Sequence, residues 1–272
     1  MKCIICGNDN FTTAADFDSY SVLECNYCKF GIVDPLPSQE TLNALYNTSE
    51  YFQSHMAYDF NKITEFEIQD LICRSKIMHG PNLKNIPIND SMRMLEIGTG
   101  GGFALKGFEE MGFEVEGVET SGVAVRFATQ RLNLKIHHAS LEEFDTKERF
   151  DLVLLNHVLE HFMDLRSVTR KLVSLLAPNG ILYVRVADHH SYDRRVYGRE
   201  WPAYAHYHIS NFSEKSLVLL YQQEGLQVLR TKKFFSERSP LLVKYFLKKI
   251  IRMKCFVDLF SGRTIAILGQ KK

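Results

Sequence analysis

From residue 92 onward, short apolar runs alternate with stretches of helical spacing. Arg93–Ile97 reads as a strand, followed by a glycine loop and a helix at about 103–111. Phe113–Val118 reads as a strand, Ser121–Arg131 as a helix and Lys135–His138 as a short strand. Asp151–Leu155 is wholly apolar after its first residue and fits a buried strand. A helix is expected over 165–176, with Leu165, Val168, Leu172, Leu175 and Leu176 on one face and Asp164 as N-cap. Pro178–Gly180 reads as a turn before the strand Ile181–Val186. A polar, aromatic-rich loop fills 187–212, and Ser213 caps a helix ending at Gly225. Leu226–Lys232 and Thr264–Leu268 are the last strands. Strands alternating with helices predict a parallel sheet covered on both faces.

The first third of the chain reads differently. Residues 1–34 carry paired cysteines and short β-like runs such as Ser21–Leu23. Pro35 and Pro37 enforce an extended linker, and Ser38 caps a short helix expected near 39–46. Residues 56–79 lack Gly and Pro. They space Phe60, Ile63, Phe66, Ile68, Leu71, Ile72 and Ile77 as one long helix would. Residues 80–90 form a loop. The expected organisation is a ribbon over 1–34, a linker and helical lead-in over 35–90, and an α/β domain over 91–272, with no internal repeat.

Composition adds little and excludes several classes. Of 272 residues, 45% are hydrophobic and 24% charged, and the net charge is +1. No global field would draw the chain to nucleic acid, and no apolar run reaches membrane-spanning length. The opening MKCIICGNDN lacks the apolar core of a signal peptide, so a cytoplasmic location is expected. Six cysteines fit that setting if reduced or metal-bound, and Cys73 and Cys255 read as ordinary buried thiols.

The other four form Cys3-x-x-Cys6 and Cys25-x-x-Cys28, with 18 residues between the pairs. That is the spacing of a four-thiolate zinc ribbon. Gly7 follows the first pair, where a tight knuckle suits glycine. Four cysteines leave no open coordination position, so the expected zinc is structural. Unligated thiols or a redox pair are the alternative. The ribbon has Lys2 and Lys29 as cations against Asp9, Asp16, Asp18, Glu24 and Asp34, which disfavours a nucleic-acid partner.

The strand ending at Glu96 runs into Gly98-x-Gly100-x-Gly102 and then a helix. Glycines let the chain turn sharply and let a ligand approach the backbone. Glu119 ends the next strand, 21 residues after Gly98, where an acid takes ribose hydroxyls. A nicotinamide fingerprint needs Gly or Ala at the position of Phe103, and no Walker-type Gly-Lys-Ser/Thr is present. The string instead resembles motif I of class I S-adenosylmethionine-dependent methyltransferases. Further similarities follow in order. Val118-Glu-Thr-Ser resembles their second motif, and Ala139-Ser-Leu-Glu-Glu-Phe stands where the family contacts adenine. Residues 150–162 are similar to the fourth motif, and Leu176-Ala-Pro-Asn-Gly-Ile-Leu-Tyr-Val resembles the turn and fifth strand.

The resemblance implies a Rossmann-like seven-stranded methyltransferase sheet with helices on both faces, beside the small ribbon. It implies S-adenosylmethionine as cofactor. Glu96 and the backbone of Gly98, Gly100 and Gly102 would hold its methionine end, and Glu119 its ribose. Ser140 stands where many relatives have Asp, and Leu141 would meet the adenine. Asn156 would lie beside the sulfonium. A Rossmann-like domain whose loop is structural or has lost its cofactor is one alternative; a non-catalytic module that binds cofactor or uses its ribbon for docking is the alternative from another class.

The ribbon, Pro35-Leu-Pro and Tyr46…Tyr51-Phe resemble a bacterial subgroup tied to sugar or surface-polysaccharide pathways. Deoxysugar C-methyltransferases with this opening carry a further substrate domain, for which the present sequence has no room. O-methylation of a sugar or surface-glycan precursor is therefore the expectation, with C- or N-methylation of another small metabolite as the alternative.

His157-Val-Leu-Glu160-His161 also matches a zinc-protease string, but it directly follows an apolar strand rather than lying on a long helix. Ubiquinone-pathway O-methyltransferases have a similar string with a divalent metal. A weak metal site at His157, Glu160 and His161 is one reading; a helix start is the other. The loop 187–212 follows the fifth strand, at the edge where such sheets bind ligands. Tyr192, Arg195, Trp201 and His206 are its candidate substrate contacts. His208 is the first candidate for general base, with His161 and His157 behind it. A histidine that only braces the loop is the alternative.

Finally, 236–262 interrupts the last two strands. Read as a helix, 241–260 sets Lys244, Lys248, Lys249 and Arg252 opposite Leu242, Phe246, Ile250 and Val257. It fits either a helix packed on the domain or a peripheral membrane contact that reaches a lipid-linked glycan. The oligomeric state is not legible in the sequence.

Overall fold

The computed structural model describes residues 1–38, 40–42, 59–84, 86, 91–234 and 264–272. The amphipathic segment 241–260, Cys255, most of the helix expected near 39–46 and residues 56–58 lie outside the described residues.

The main sheet has seven strands. In chain order they are β4 (Arg93–Ile97), β5 (Glu114–Glu119), β6 (Ile136–His138), β7 (Phe150–Asn156), β8 (Leu176–Ala187), β10 (Leu226–Phe234) and β11 (Thr264–Lys271). Their spatial order is β10-β11-β8-β7-β4-β5-β6. The pairs from β8 to β6 are parallel, and β11 runs antiparallel to both β8 and β10. The chain winds outward from β4 to β6, then crosses back to β7. Strand order thus reverses between β4 and β7, where α/β sheets open a ligand crevice at the strands' carboxyl ends.

Alternation along the strands splits the core into two layers. Leu95, Ile97, Val153, Leu155, Leu182 and Val184 face α4 (Leu165–Leu175) and α6 (Glu214–Gln223). Met94, Leu152, Leu154, Ile181 and Tyr183 face α1 (Glu65–His79), α2 (Phe103–Glu109) and α3 (Gly122–Leu132). The expected caps are present. Asp164 accepts from the Ser167 amide at 3.0 Å, and Ser213 from the Ser216 amide at 3.1 Å.

Two local expectations are corrected. The lead-in helix begins at Glu65 rather than 56, because Thr64 and Glu67 form a reciprocal capping box that stops it there. Phe66 and Ile77 are exposed, while Ile68 and Ile72 are buried. Pro178–Gly180 is not a turn between elements but a kink inside the long strand β8. Asn179 adopts a left-handed φ of 63°, and a Cβ on Gly180 would lie 2.8 Å from the Phe150 carbonyl oxygen. The β7–β8 register shifts at the same place.

The ribbon supplies β1 (Phe11–Asp16), β2 (Ser21–Cys25) and β3 (Gly31–Asp34), all antiparallel. Its sheet is completed by β9 (Ser210–Asn211), a strand from the loop after β8 that pairs with β3. Cys3, Ile5, Cys25, Cys28, Phe30 and Ile32 belong to the same core as α4 and α6. The ribbon is built into the α/β domain. Among the described residues, no helix is long and apolar enough to cross a membrane.

Candidate active site

The loops at the β4 and β5 ends are tied together largely through backbone amides. Gly98 (φ 68°) donates its amide to the Val118 carbonyl at 2.8 Å, and a Cβ there would meet Val158 at 2.6 Å. The Gly100 amide donates to Glu119 Oε2 at 2.7 Å, and the Ser121 amide to Glu119 Oε1 at 2.8 Å. Gly102 begins α2 in a left-handed conformation.

Glu96 lies behind this loop, 2% exposed, with Oε2 unpartnered. Burial pushes its carboxyl well above the usual range; the Leu105 amide opposes this and the nearby Glu119 adds to it. Glu119 is also raised by burial, against the pull of the Ser121, Gly100 and Thr120 amides. A buried carboxyl with a free oxygen, next to a second carboxyl held by loop amides, fits a nucleoside that carries a cationic tail. S-adenosylmethionine has that chemistry.

The remaining cofactor candidates are placed unevenly. Ser140 and Glu143 cap one another, each amide bonding to the other's side chain. The Leu141 side chain is buried in the core, which leaves its backbone for contact. Asn156 Oδ1 accepts from Arg185 Nη1 at 3.1 Å.

Beyond β7 the chain turns sharply. His157 takes a left-handed φ of 58° and donates its amide to the Arg185 carbonyl. Its Nδ1 lies 3.1 Å from Glu160 Oε1. Leu159–His161 is a single 3-10 turn. His161 Nδ1 donates to the Tyr207 carbonyl at 3.1 Å, and His208 Nδ1 to the Ala203 carbonyl at 2.8 Å. A carbonyl only accepts, so each Nδ1 carries the proton. The two rings meet edge to face at 5.0 Å.

Burial, then the neighbouring His161, lowers His208 to about 4. Its ring is therefore neutral near pH 7, with a lone pair on Nε2. Burial pushes the Glu160 carboxyl up, but the His157 hydrogen bond and the nearby histidines outweigh it and bring it to about 2.

The weak divalent site expected at His157, Glu160 and His161 is not assembled. Among the described residues, the four cysteines are the one set of three or more metal-type ligand atoms within 4.8 Å of one another. The 3-10 turn and the Tyr207 carbonyl direct His161 elsewhere. Cys3 and Cys28 sulfurs lie 3.5 Å apart, as do those of Cys6 and Cys25. Tetrahedral zinc with bonds of about 2.3 Å needs sulfurs about 3.8 Å apart, so the donor set suits it. The two knuckles match. The Gly7 amide bonds the Cys3 carbonyl and the Lys29 amide the Cys25 carbonyl, both residues having positive φ.

The loop candidates divide. Trp201 is 4% exposed and packs with Ala15, Val22, Val33 and Tyr204, so it braces the ribbon. His206 stacks on Tyr20 of the ribbon and donates from Nε2 to the Pro35 carbonyl. Tyr192 and Arg195 are exposed on the short α5 (Tyr192–Tyr197).

Sequence reasoning missed two residues. Arg185 is buried beside Asn156, and a lone arginine in the apolar run Ile181–Val186 was its signal. Glu24 of the ribbon is buried within 3.3 Å of nitrogens of His189, His190 and Arg194. No local signal announced it, because its partners lie far along the chain.

Comparisons with known proteins bear on the family and the fold. A family model described as "Methyltransferase domain" matches residues 73–231. A curated relative named ubiquinone biosynthesis O-methyltransferase, from Rhodopseudomonas palustris strain HaA2, is 30% identical over 143 residues. That match covers 51% of this chain and 51% of the relative, so the chain spans about half the length of the curated relatives it matches. Among solved structures, magnesium protoporphyrin IX methyltransferase from Synechocystis with bound S-adenosylhomocysteine aligns with a TM-score of 0.57 at 12% identity. It covers 86% of this chain and 100% of that one. The 1,6-didemethyltoxoflavin-N1-methyltransferase from Burkholderia thailandensis aligns with a TM-score of 0.54 at 15% identity, covering 97% and 100%. These structural likenesses concern the fold. With the family model matching more than half of its residues, the chain belongs to the methyltransferase-domain family, on the class I S-adenosylmethionine-dependent fold.

Proposed function

We propose that the protein transfers a methyl group from S-adenosylmethionine to a hydroxyl of a small acceptor. The observation that carries this reading is Glu96. A buried carboxyl with an unpartnered oxygen, beside the Gly100–Glu119 contact, is costly unless a ligand completes it. Glu96 and the loop backbone would hold the methionine end, Glu119 the ribose hydroxyls, the Leu141 backbone the adenine, and Asn156 the neighbourhood of the sulfonium. The cofactor supplies an activated methyl group. The protein aligns the acceptor, excludes water and accepts a proton.

Oxygen as the acceptor atom is favoured by His208. Its Nδ1–H is committed to Ala203, so Nε2 is the proton acceptor when a hydroxyl is methylated. The curated relative's name carries O-methylation as well. A sugar or surface-glycan precursor remains our reading of the acceptor, resting on the resemblance of the ribbon and its linker. Tyr192, Arg195 and His206 are its candidate contacts, and Trp201 is assigned to the ribbon's packing instead. The four cysteines hold one structural zinc in this reading.

Calorimetry with S-adenosylhomocysteine tests the cofactor assignment, and absence of binding would end it. A mass-spectrometric screen of hydroxylated sugars and phenols then reads the acceptor: a gain of one methyl on a phenol alone would displace the sugar. Metal analysis should give about one zinc per chain, lost in Cys3→Ser/Cys6→Ser. Folded protein with four reactive thiols would exclude the zinc.

A further inference from the structure

The ribbon's polar contacts are one-sided. Among the described residues, those that leave the ribbon end on residues 189–223. Three of them reach carbonyls inside the metal knuckles. Gln223 Nε2 donates to the Ile5 carbonyl at 2.8 Å, between Cys3 and Cys6. Lys215 Nζ donates to the Tyr27 carbonyl at 2.7 Å, between Cys25 and Cys28. Ser213 Oγ donates to the Cys28 carbonyl itself at 2.7 Å. All three donors belong to α6 or its N-cap.

One residue separates Ser213 from β9, which pairs with β3, and the Val33 amide donates to the Ile209 carbonyl at 3.1 Å. Ile209 is the next residue after His208. The cofactor crevice is different. Its Gly98–Val118, Gly100–Glu119 and Ser121–Glu119 bonds are internal to 98–121.

We infer that the four-cysteine centre positions the acceptor half of the active site, so that metal occupancy fixes β9 and the segment carrying His208 just before it, while cofactor affinity is set independently. The physical basis is size. A segment of 34 residues has no sufficient core of its own, and metal ligation orders such segments. The knuckle carbonyls are fixed only while the cysteines share an ion. Releasing the ion frees the acceptors to which α6 is docked, and with them the β3–β9 pairing. Glu24 adds a second tie, from the residue before Cys25 to His189, His190 and Arg194. The inference rests on the methyl-transfer reading for the role of His208, but the mechanical coupling does not depend on the acceptor's identity.

The test uses the full chain, zinc-loaded and after treatment with a chelator, with zinc counted in both. Hydrogen exchange read by mass spectrometry should accelerate at least about ten-fold over 205–213 on zinc removal. Peptides 93–102 and 114–121 should keep their protection, and S-adenosylhomocysteine affinity by calorimetry should be unchanged. Unchanged protection over 205–213, or a parallel loss of cofactor affinity in folded protein, overturns the inference. If the metal-free chain unfolds altogether, the zinc-loaded Lys215→Ala/Gln223→Ala variant decides. Both positions are exposed, so the fold is retained. Coupling is reciprocal, so this variant should lose zinc to the chelator faster and exchange faster over 205–213. Wild-type values for both overturn the inference. Failure of the zinc-loaded wild type to bind S-adenosylhomocysteine would instead remove the methyl-transfer reading and leave the coupling standing.

Discussion

The Gly100 amide donates to Glu119 Oε2 at 2.7 Å. This bond ties the glycine loop after β4 to the acid that ends β5. It orients the carboxylate and shapes the loop at once, so the two motifs act as one unit.

Glu119→Ala should therefore damage both cofactor binding and local order. The Gly100 and Ser121 amides lose their acceptor, at a cost of about 1–3 kcal/mol for each buried donor left unpaired. S-adenosylhomocysteine affinity should fall at least about ten-fold, or about 1.4 kcal/mol, measured by calorimetry. Wild-type affinity in this variant would remove Glu119 from the cofactor site.

Glu96 should release a proton when cofactor binds. Burial raises its carboxyl above the usual range, so it holds its proton to higher pH than an ordinary carboxyl. A cationic amino group placed beside it lowers that value again. Calorimetric enthalpies at pH 6 should then vary with the ionisation enthalpy of the buffer, and Glu96→Gln should abolish the variation. Buffer-independent enthalpies in the wild type would contradict the assignment.

His208→Ala should lower the methylation rate by roughly 100-fold or more, at unchanged S-adenosylhomocysteine affinity. His208 sits at about 4, chiefly through burial, so the neutral base is present at any pH above that. The wild-type rate should stay level from neutrality down to about pH 5 and be lost as pH falls through about 4. Nearly full activity in the variant would leave the proton to His161, His157 or solvent.

His79 should make the fold acid-sensitive. Burial, then the nearby Arg185 and His157, lowers it to about 3, whereas an unfolded chain takes up this proton near about 6.5. The unfolded state binds more protons between those values. Stability from neutral His79 is thus complete above about 6.5 and is lost as pH falls toward about 3. In His79→Asn, the slope of unfolding free energy against pH should flatten by up to about 1.4 kcal/mol per pH unit. Urea melts between pH 7 and 5 measure it, and identical slopes would refute this source of acid sensitivity.

Much of this protein was legible in the chain itself. The alternation of apolar runs with helical spacing placed β4 to β8 and the helices between them, because burial on two faces leaves a local pattern. Gly98, Gly100, Gly102 and Glu119 were legible as a candidate site because turn chemistry and strand-end acids are local too. So were the cysteine pairs, whose spacing belongs to each knuckle. Local pattern misled at 59–64, where a helical spacing continued past the Thr64–Glu67 cap, and at Pro178–Gly180, where turn residues serve a kink within β8.

Tertiary structure decided the rest. It paired β9 with β3 and so made the ribbon part of the domain. It committed His161 Nδ1 to the Tyr207 carbonyl, and His157, Glu160 and His161 do not gather as a three-ligand set. It buried Trp201 against the ribbon and brought Glu24 to His189, and Ser213 to Cys28, across more than half of the chain. Such contacts leave no mark in the local sequence, because a hydrogen bond between distant residues constrains neither the spacing nor the polarity of its neighbours. Sequence therefore determined the glycine loop and strand-end acid that we propose for the cofactor, because they lie on adjacent strand ends. The proposed acceptor half, around His208, adjoins a long-range docking that only the folded chain contains.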